Sequence, residues 1–168
     1  MYATDAIVLK KLDVGEADVL YMLYARDYGK MRAVAPGIRK SEAKLRGHLE
    51  PLSLSRIRFV NGKQREKLIG ARLLNFWSGF RADRARLAVA HYVAARIDQE
   101  CMEGEQDQAL WNLLCAHLAF LDAADTEVNL SAFVSRFEDQ LSEVLGYGPG
   151  GAERPERAII GAWANWMN

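Results

Sequence analysis

The spacing of apolar residues changes once along the 168-residue chain, near Trp77, and that change limits what each part can become. Before it, short runs of β-branched and aromatic residues alternate with period 2 and are broken by turn residues, as strands require. After it, apolar residues recur at helical spacing. A chain of this length fits one large domain or two small ones, and half of its residues are apolar, enough for a packed core.

The first part reads as five strands. Ala6 to Leu12 ends near Asp13-Val14-Gly15, and Ala17 to Arg26 follows. The second run is apolar on both faces, with Leu20, Met22 and Tyr24 on one and Val19, Tyr21 and Leu23 on the other, so it is expected at the centre of a sheet. Asp27-Tyr28-Gly29-Lys30 is a hairpin turn, and Met31 to Ala35 is stopped by Pro36-Gly37. Ile38 to Leu49 is polar and basic, with room for a short helix around Glu42 to Arg46. Glu50 to Val60 is the fourth strand; its alternation shifts phase between Leu52/Leu54 and Ile57/Phe59, which predicts a bulge or bend. Asn61-Gly62 is a strong hairpin signal, and Arg65 to Leu74 is the fifth strand. Five short antiparallel strands suit a small closed barrel, which leaves no sheet edge exposed.

Three helical stripes follow. They are Leu87-Ala90-Ala94-Ile97-Cys101, then Leu110-Leu113-Leu114-His117-Leu118-Leu121, then Leu130-Phe133-Val134-Phe137-Leu141-Val144-Leu145. Asn129 is placed to cap the last helix and Gly146 to end it. Glu153 to Asn168, with Trp163 and Trp166, has room for one more short helix.

Charge changes at the same place as period. The formal net charge is zero, yet residues 1–80 carry 15 Lys and Arg against 8 Asp and Glu, whereas residues 81–168 carry 7 against 14. Within 30–72 there are 12 basic residues and only Glu42, Glu50 and Glu66 oppose them. Such a block attracts polyanions. Lys30 and Arg32 alternate on the third strand, Arg56 and Arg58 on the fourth, and Lys63, Arg65 and Lys67 flank Asn61-Gly62. Arg39, Lys40, Lys44 and Arg46 lie in the loop after Pro36-Gly37, beside His48. These cations are candidate phosphate contacts, and Tyr21, Tyr24, Tyr28 and Phe59 are candidate stacking surfaces for bases. The acidic helical half is expected to face away from a polyanion.

No catalytic constellation is visible. The glycines form neither a phosphate-binding loop nor a dinucleotide fingerprint, and no serine sits in a nucleophile elbow. Cys101 and Cys115 lie in helical patterns and, with His48, His91 and His117, lack the spacing of a zinc site. Glu138-Asp139 reads as the solvated side of a helix. No membrane span or signal peptide is apparent, so the default expectation is a cytoplasmic protein, and with no catalytic or metal constellation the chain is expected to carry no cofactor or metal and no enzymatic activity.

Ile7-Val8-Leu9-Lys10, Gly15 to Leu20, Tyr24 to Lys30, Ala33 to Lys40 and Leu49 to Leu52, followed by Phe137-Glu138 and Leu145 to Pro149, resemble in order and spacing the RecO family of recombination mediators. The resemblance spans residues 6–149 and implies an α+β protein: an N-terminal five-stranded OB-fold at 1–78, an α-helical domain at 79–149 and a short C-terminal tail at 150–168. It also implies binding of single- and double-stranded DNA, annealing of complementary strands, and assistance in loading RecA, together with RecR, onto DNA coated by single-strand DNA-binding protein. The helical domain of that family can receive the C-terminal tail of single-strand DNA-binding protein. By position, the family's basic surface falls on Lys30, Arg39, Lys40, Lys44 and Arg46. The four zinc-binding cysteines of many members are absent after Pro149, so the chain is expected to be either a compact member or a fragment. Two other readings of the barrel remain open, an RNA-binding module and a scaffold for protein docking.

Overall fold

The computed structural model describes residues 1–38, 45–125 and 127–148. Five strands, β1 (Tyr2–Val14), β2 (Asp18–Ala25), β3 (Gly29–Ala35), β4 (Leu54–Val60) and β5 (Glu66–Asn75), close into a barrel in the order β1-β2-β3-β5-β4. All neighbours are antiparallel except β3 and β5, which meet in parallel through Ala33 opposite Glu66 and Val34 opposite Lys67. A 3-10 turn, Arg46–His48, precedes β4. Four helices follow among the described residues: α1 (Ser78–Arg81), α2 (Arg84–Glu100), α3 (Gln108–Ala123) and α4 (Leu130–Val144).

Two apolar clusters explain the strand patterns. Ala6, Val8, Val19, Tyr21, Leu23 and Ile57 fill the barrel. Ile7, Leu9, Tyr24 and Leu52 instead pack with Phe80, Ile97, Leu114 and Phe137 of the helices. The unbroken run Ala6-Ile7-Val8-Leu9 thus alternates between two cores, as does β2, which lies between β1 and β3 as its two apolar faces require.

The same division explains the phase change near Leu54. Leu52 and Leu54 belong with the helical cluster, whereas Ile57 and Phe59 point into the barrel. Strand β4 therefore starts at Leu54, not Glu50; Leu52 has φ 69°, and the Leu52 amide donates to the Val8 carbonyl at 2.7 Å. Register shifts occur in the β4–β5 pair between Leu54 and Ser55 and between Arg58 and Phe59. Strand β1 begins four residues before the predicted Ala6.

Most residues of the helical stripes are buried as expected, with Leu87, Leu130, Val144 and Leu145 partly buried against the same core. Asn129 caps α4 by accepting from the Ala132 amide at 3.0 Å, and Gly146 ends it at φ 81°. Helix α1 is additional; its first amides, Gly79 and Phe80, donate to Asp122 Oδ1 at 2.7 and 3.3 Å. Glu138 is not merely solvated, since Tyr92 Oη and Arg96 Nε donate to Glu138 Oε1 at 2.7 and 2.8 Å and tie α2 to α4. The expected helix around Glu42 to Arg46 falls largely, and the one at Glu153 to Asn168 wholly, outside the described residues.

Candidate nucleic-acid interface

The eleven candidate cations separate into three groups. Lys30 and Arg32 share the outer face of β3, as alternation requires, and α2 and the segment after it partly cover that face, shielding Lys30 more than Arg32. Lys30 Nζ lies 2.9 Å from Asp98 Oδ1, and the two side chains are only 14% and 13% exposed. Arg32 pairs with Glu103. The Gly104 amide donates to the Lys30 carbonyl at 2.9 Å, and Gln106 Nε2 donates to the Arg26 carbonyl at 3.3 Å. Gly29 has φ 66°, and a Cβ there would overlap the Glu105 carbonyl oxygen. The acidic segment is therefore docked on the barrel, and Lys30 and Arg32 are already compensated. Lys30 is largely shielded from solvent, whereas the Arg32 side chain stays 43% exposed beside Glu103.

The second group lies on β4, β5 and their connection. Arg56 is opposite Asp5 on β1 and bonds it with two guanidinium nitrogens. Arg58 lies along Gly70, where a Cβ would sit 2.7 Å from Arg58 Nε, so glycine leaves the trough that seats this side chain. Arg58, Lys63 and Arg65 are exposed and make no ion pair among the described residues. The connection 61–65 is longer than a two-residue turn, and Gly62 does not take positive φ; a Cβ at Gly62 would instead strike the Arg65 carbonyl oxygen.

The third group is the loop after β3. Arg39, Lys40 and Lys44 lie outside the described residues, as does the Arg46 side chain, although the Arg46 backbone opens the 3-10 turn. His48 is held there by the Leu73 amide, which donates to Nδ1 at 3.4 Å.

Lys67 is exposed on β5 and belongs to the second group as expected, but sequence reasoning missed Arg72. Register places Arg72 directly opposite Arg56, and both are exposed. Like charges opposite one another are unfavourable, and Asp5 relieves only Arg56. From 58 to 72 five cations, Arg58, Lys63, Arg65, Lys67 and Arg72, meet one carboxylate, Glu66. The aromatic candidates divide too: Tyr21, Tyr24 and Phe59 are buried, and burial with Glu50 and Asp13 nearby pushes the Tyr21 phenol up to about 12. Tyr28 is half-buried, and Tyr2, which strand patterning gave no reason to select, is exposed.

Two clefts lie away from this surface. Between β1 and α2, Lys10, Lys11, Arg81 and His91 line one of about 630 Å³. Its cations are compensated: Lys10 pairs with Asp98 and Lys11 with Glu50, each at 2.8 Å, and Arg81 donates to the Phe76 and Pro51 carbonyls at 2.6 Å. Burial and Arg81 lower His91 to about 4, so it is neutral at pH 7. A groove of about 670 Å³ between α3 and α4 is lined by Leu113, Phe120, Val128, Phe133 and Val144, with Arg136 among its polar residues. His117 also lines it, 2.8 Å from the Leu113 carbonyl, to which Nδ1 donates, and edge-on to Phe133 and Phe137. Burial pushes the Cys101 and Cys115 thiols up to about 11, which leaves them protonated at pH 7. No helix among the described residues is long and apolar enough to cross a membrane.

Comparison with known proteins agrees along nearly the whole chain. Residues 1–77 match the family described as Recombination protein O N terminal, and residues 81–152 match Recombination protein O C terminal. The DNA repair protein RecO of Pelotomaculum thermopropionicum is 32% identical over 149 residues, covering 89% of this chain and 57% of that protein. The proteins of the same name from Gloeobacter violaceus and Syntrophomonas wolfei are 32% and 33% identical, over 88% and 86% of this chain and 56% of each relative. The chain thus spans a little over half the length of these relatives. With a closed five-stranded barrel followed by a helical bundle, and with both family halves matched in order, the chain belongs to the recombination protein O family.

Proposed function

We propose that this chain binds single- and double-stranded DNA through the β4–β5 side of its OB barrel and the basic loop after β3, and that it anneals complementary strands in recombinational repair. The observation that carries this reading is the set of five exposed cations on β4, β5 and their connection, which meet one carboxylate within residues 58–72. Annealing brings two phosphate backbones together, and cations lower their repulsion. Two functional units, 1–78 and 79–149, follow from the same division. The helical unit would meet protein partners: RecR, and the tail of single-strand DNA-binding protein in the α3–α4 groove, whose apolar lining and Arg136 suit a short apolar segment ending in a carboxylate. Assistance to RecA loading would follow from holding DNA and that tail together.

The test is annealing of two complementary labelled oligonucleotides by the wild type and by Arg58→Ala/Lys63→Ala/Arg65→Ala, alongside binding to DNA and RNA of equal sequence. The proposal expects wild-type annealing, a marked loss in the variant, and no preference for RNA. Preference for RNA would instead indicate contacts to the 2′-hydroxyl. Annealing unaffected by the triple change would reduce the barrel to a scaffold.

A further inference from the structure

Three rings meet where β1 starts and β4 ends. Tyr2 lies on Phe59 with ring centroids 5.4 Å apart and planes at 25°, and Tyr28 stands edge-on to both, at 6.2 Å from Tyr2 and 5.3 Å from Phe59. Phe59 is the floor of this cluster, buried in the barrel, while Tyr2 is 43% exposed. The cluster is held in place. Thr4 Oγ1 donates to Asp27 Oδ2 at 2.7 Å, and the Arg26 amide donates to the Asp5 carbonyl at 2.8 Å, so the β2–β3 turn carrying Tyr28 is fastened to β1.

Its surroundings are those of a strand-binding surface. Tyr2 is opposite Phe59 in the register, and the next pair along, on the outer face, is Ala3 opposite Arg58, which makes no ion pair among the described residues. In the other direction β4 ends at Val60 and runs directly into the 61–65 connection, with exposed Lys63 and Arg65. By alternation Arg58 emerges on the outer face of the sheet, so the cations that follow the ring at the barrel's mouth are Lys63 and Arg65 of the connection that leaves β4 one residue after Phe59. A nucleic-acid backbone tracking those cations would carry its bases past the ring.

We propose that Tyr2, backed by Phe59 and flanked by Tyr28, is a stacking platform for one unpaired nucleobase, and that it favours single-stranded over duplex DNA at this site. In a duplex both faces of an internal base are already stacked, so the platform has nothing to engage there; an unpaired base offers a free face regardless of sequence. This deepens, and rests on, the DNA-binding reading above.

The test uses the full chain with a labelled single-stranded oligonucleotide and a duplex of the same length, across a salt series. Tyr2→Leu keeps an apolar cover over Phe59 but removes the aromatic face, Tyr2→Phe keeps the face, and Tyr2→Ala removes both. Tyr2→Leu and Tyr2→Ala should weaken single-strand binding about tenfold, with the salt slope and duplex binding unchanged, and Tyr2→Phe should bind as the wild type. Unchanged single-strand affinity in Tyr2→Leu, or equal weakening toward both forms of DNA, would overturn the platform while leaving DNA binding intact. Absence of wild-type binding to either form would overturn the underlying reading and the platform with it.

Discussion

Asp98 meets two lysines in different surroundings, and that contrast yields a quantitative prediction. Lys30 is 14% exposed and lies 2.9 Å from Asp98 Oδ1; Lys10 is 50% exposed and lies 2.8 Å from Asp98 Oδ2. Removing one partner of a buried pair typically costs about 3–5 kcal/mol, because the other charge is left uncompensated. Asp98→Asn should therefore cost about 3 kcal/mol, toward the low end because some water reaches the pair. Lys10→Ala removes an interaction that water already screens and should cost about 0–1 kcal/mol. Burial raises the Asp98 pKa, but hydrogen bonds from Lys10 and Lys30 outweigh it and hold the carboxyl below its ordinary value. A depressed carboxyl stabilises the fold above its unfolded pKa, about 3.9, and loses that contribution as pH falls through the folded value. The gap in urea-unfolding free energy between wild type and Asp98→Asn should be full at pH 7 and shrink below about pH 4. A gap independent of pH, or equal costs for Asp98→Asn and Lys10→Ala, would refute the reasoning.

Other changes test the docked acidic segment. Gly29→Ala forces a side chain into left-handed backbone and against the Glu105 carbonyl, so an unfolding cost of at least about 2 kcal/mol is expected by denaturant titration. Glu103→Gln releases Arg32 and should strengthen single-strand binding, with the slope of log K against log salt steeper by about 0.7. Native Cys101 and Cys115 should react slowly with iodoacetamide at pH 7.5, because burial keeps both protonated, and rapidly once urea unfolds the chain.

Much of the fold was legible because burial imposes period. The alternation in β4 and the double-faced β2 follow from two cores on opposite sides of one barrel wall, and the α4 cap from Asn129. The start of β4 was not legible, since Leu52 and Leu54 look like inward strand residues until the helices that bury them are known. The interface was legible in charge but not in availability. Asp98 and Glu103 lie about 70 residues beyond Lys30 and Arg32, and no local pattern announces pairing over that separation. Arg72 became apparent only through its register with Arg56, and Tyr2 only through its stacking on Phe59.

The most direct measurement is the salt dependence of single-stranded oligonucleotide binding for three proteins: wild type, Arg58→Ala/Lys63→Ala/Arg65→Ala, and Lys30→Met/Arg32→Ala. If DNA runs over β4–β5, the triple change should make the slope of log K against log salt shallower by about 2, at roughly 0.7 for each lost phosphate contact, whereas the Lys30/Arg32 change should leave it nearly unaltered. The reverse pattern would mean that DNA displaces the acidic segment and occupies β3, contradicting the assignment of the β4–β5 surface.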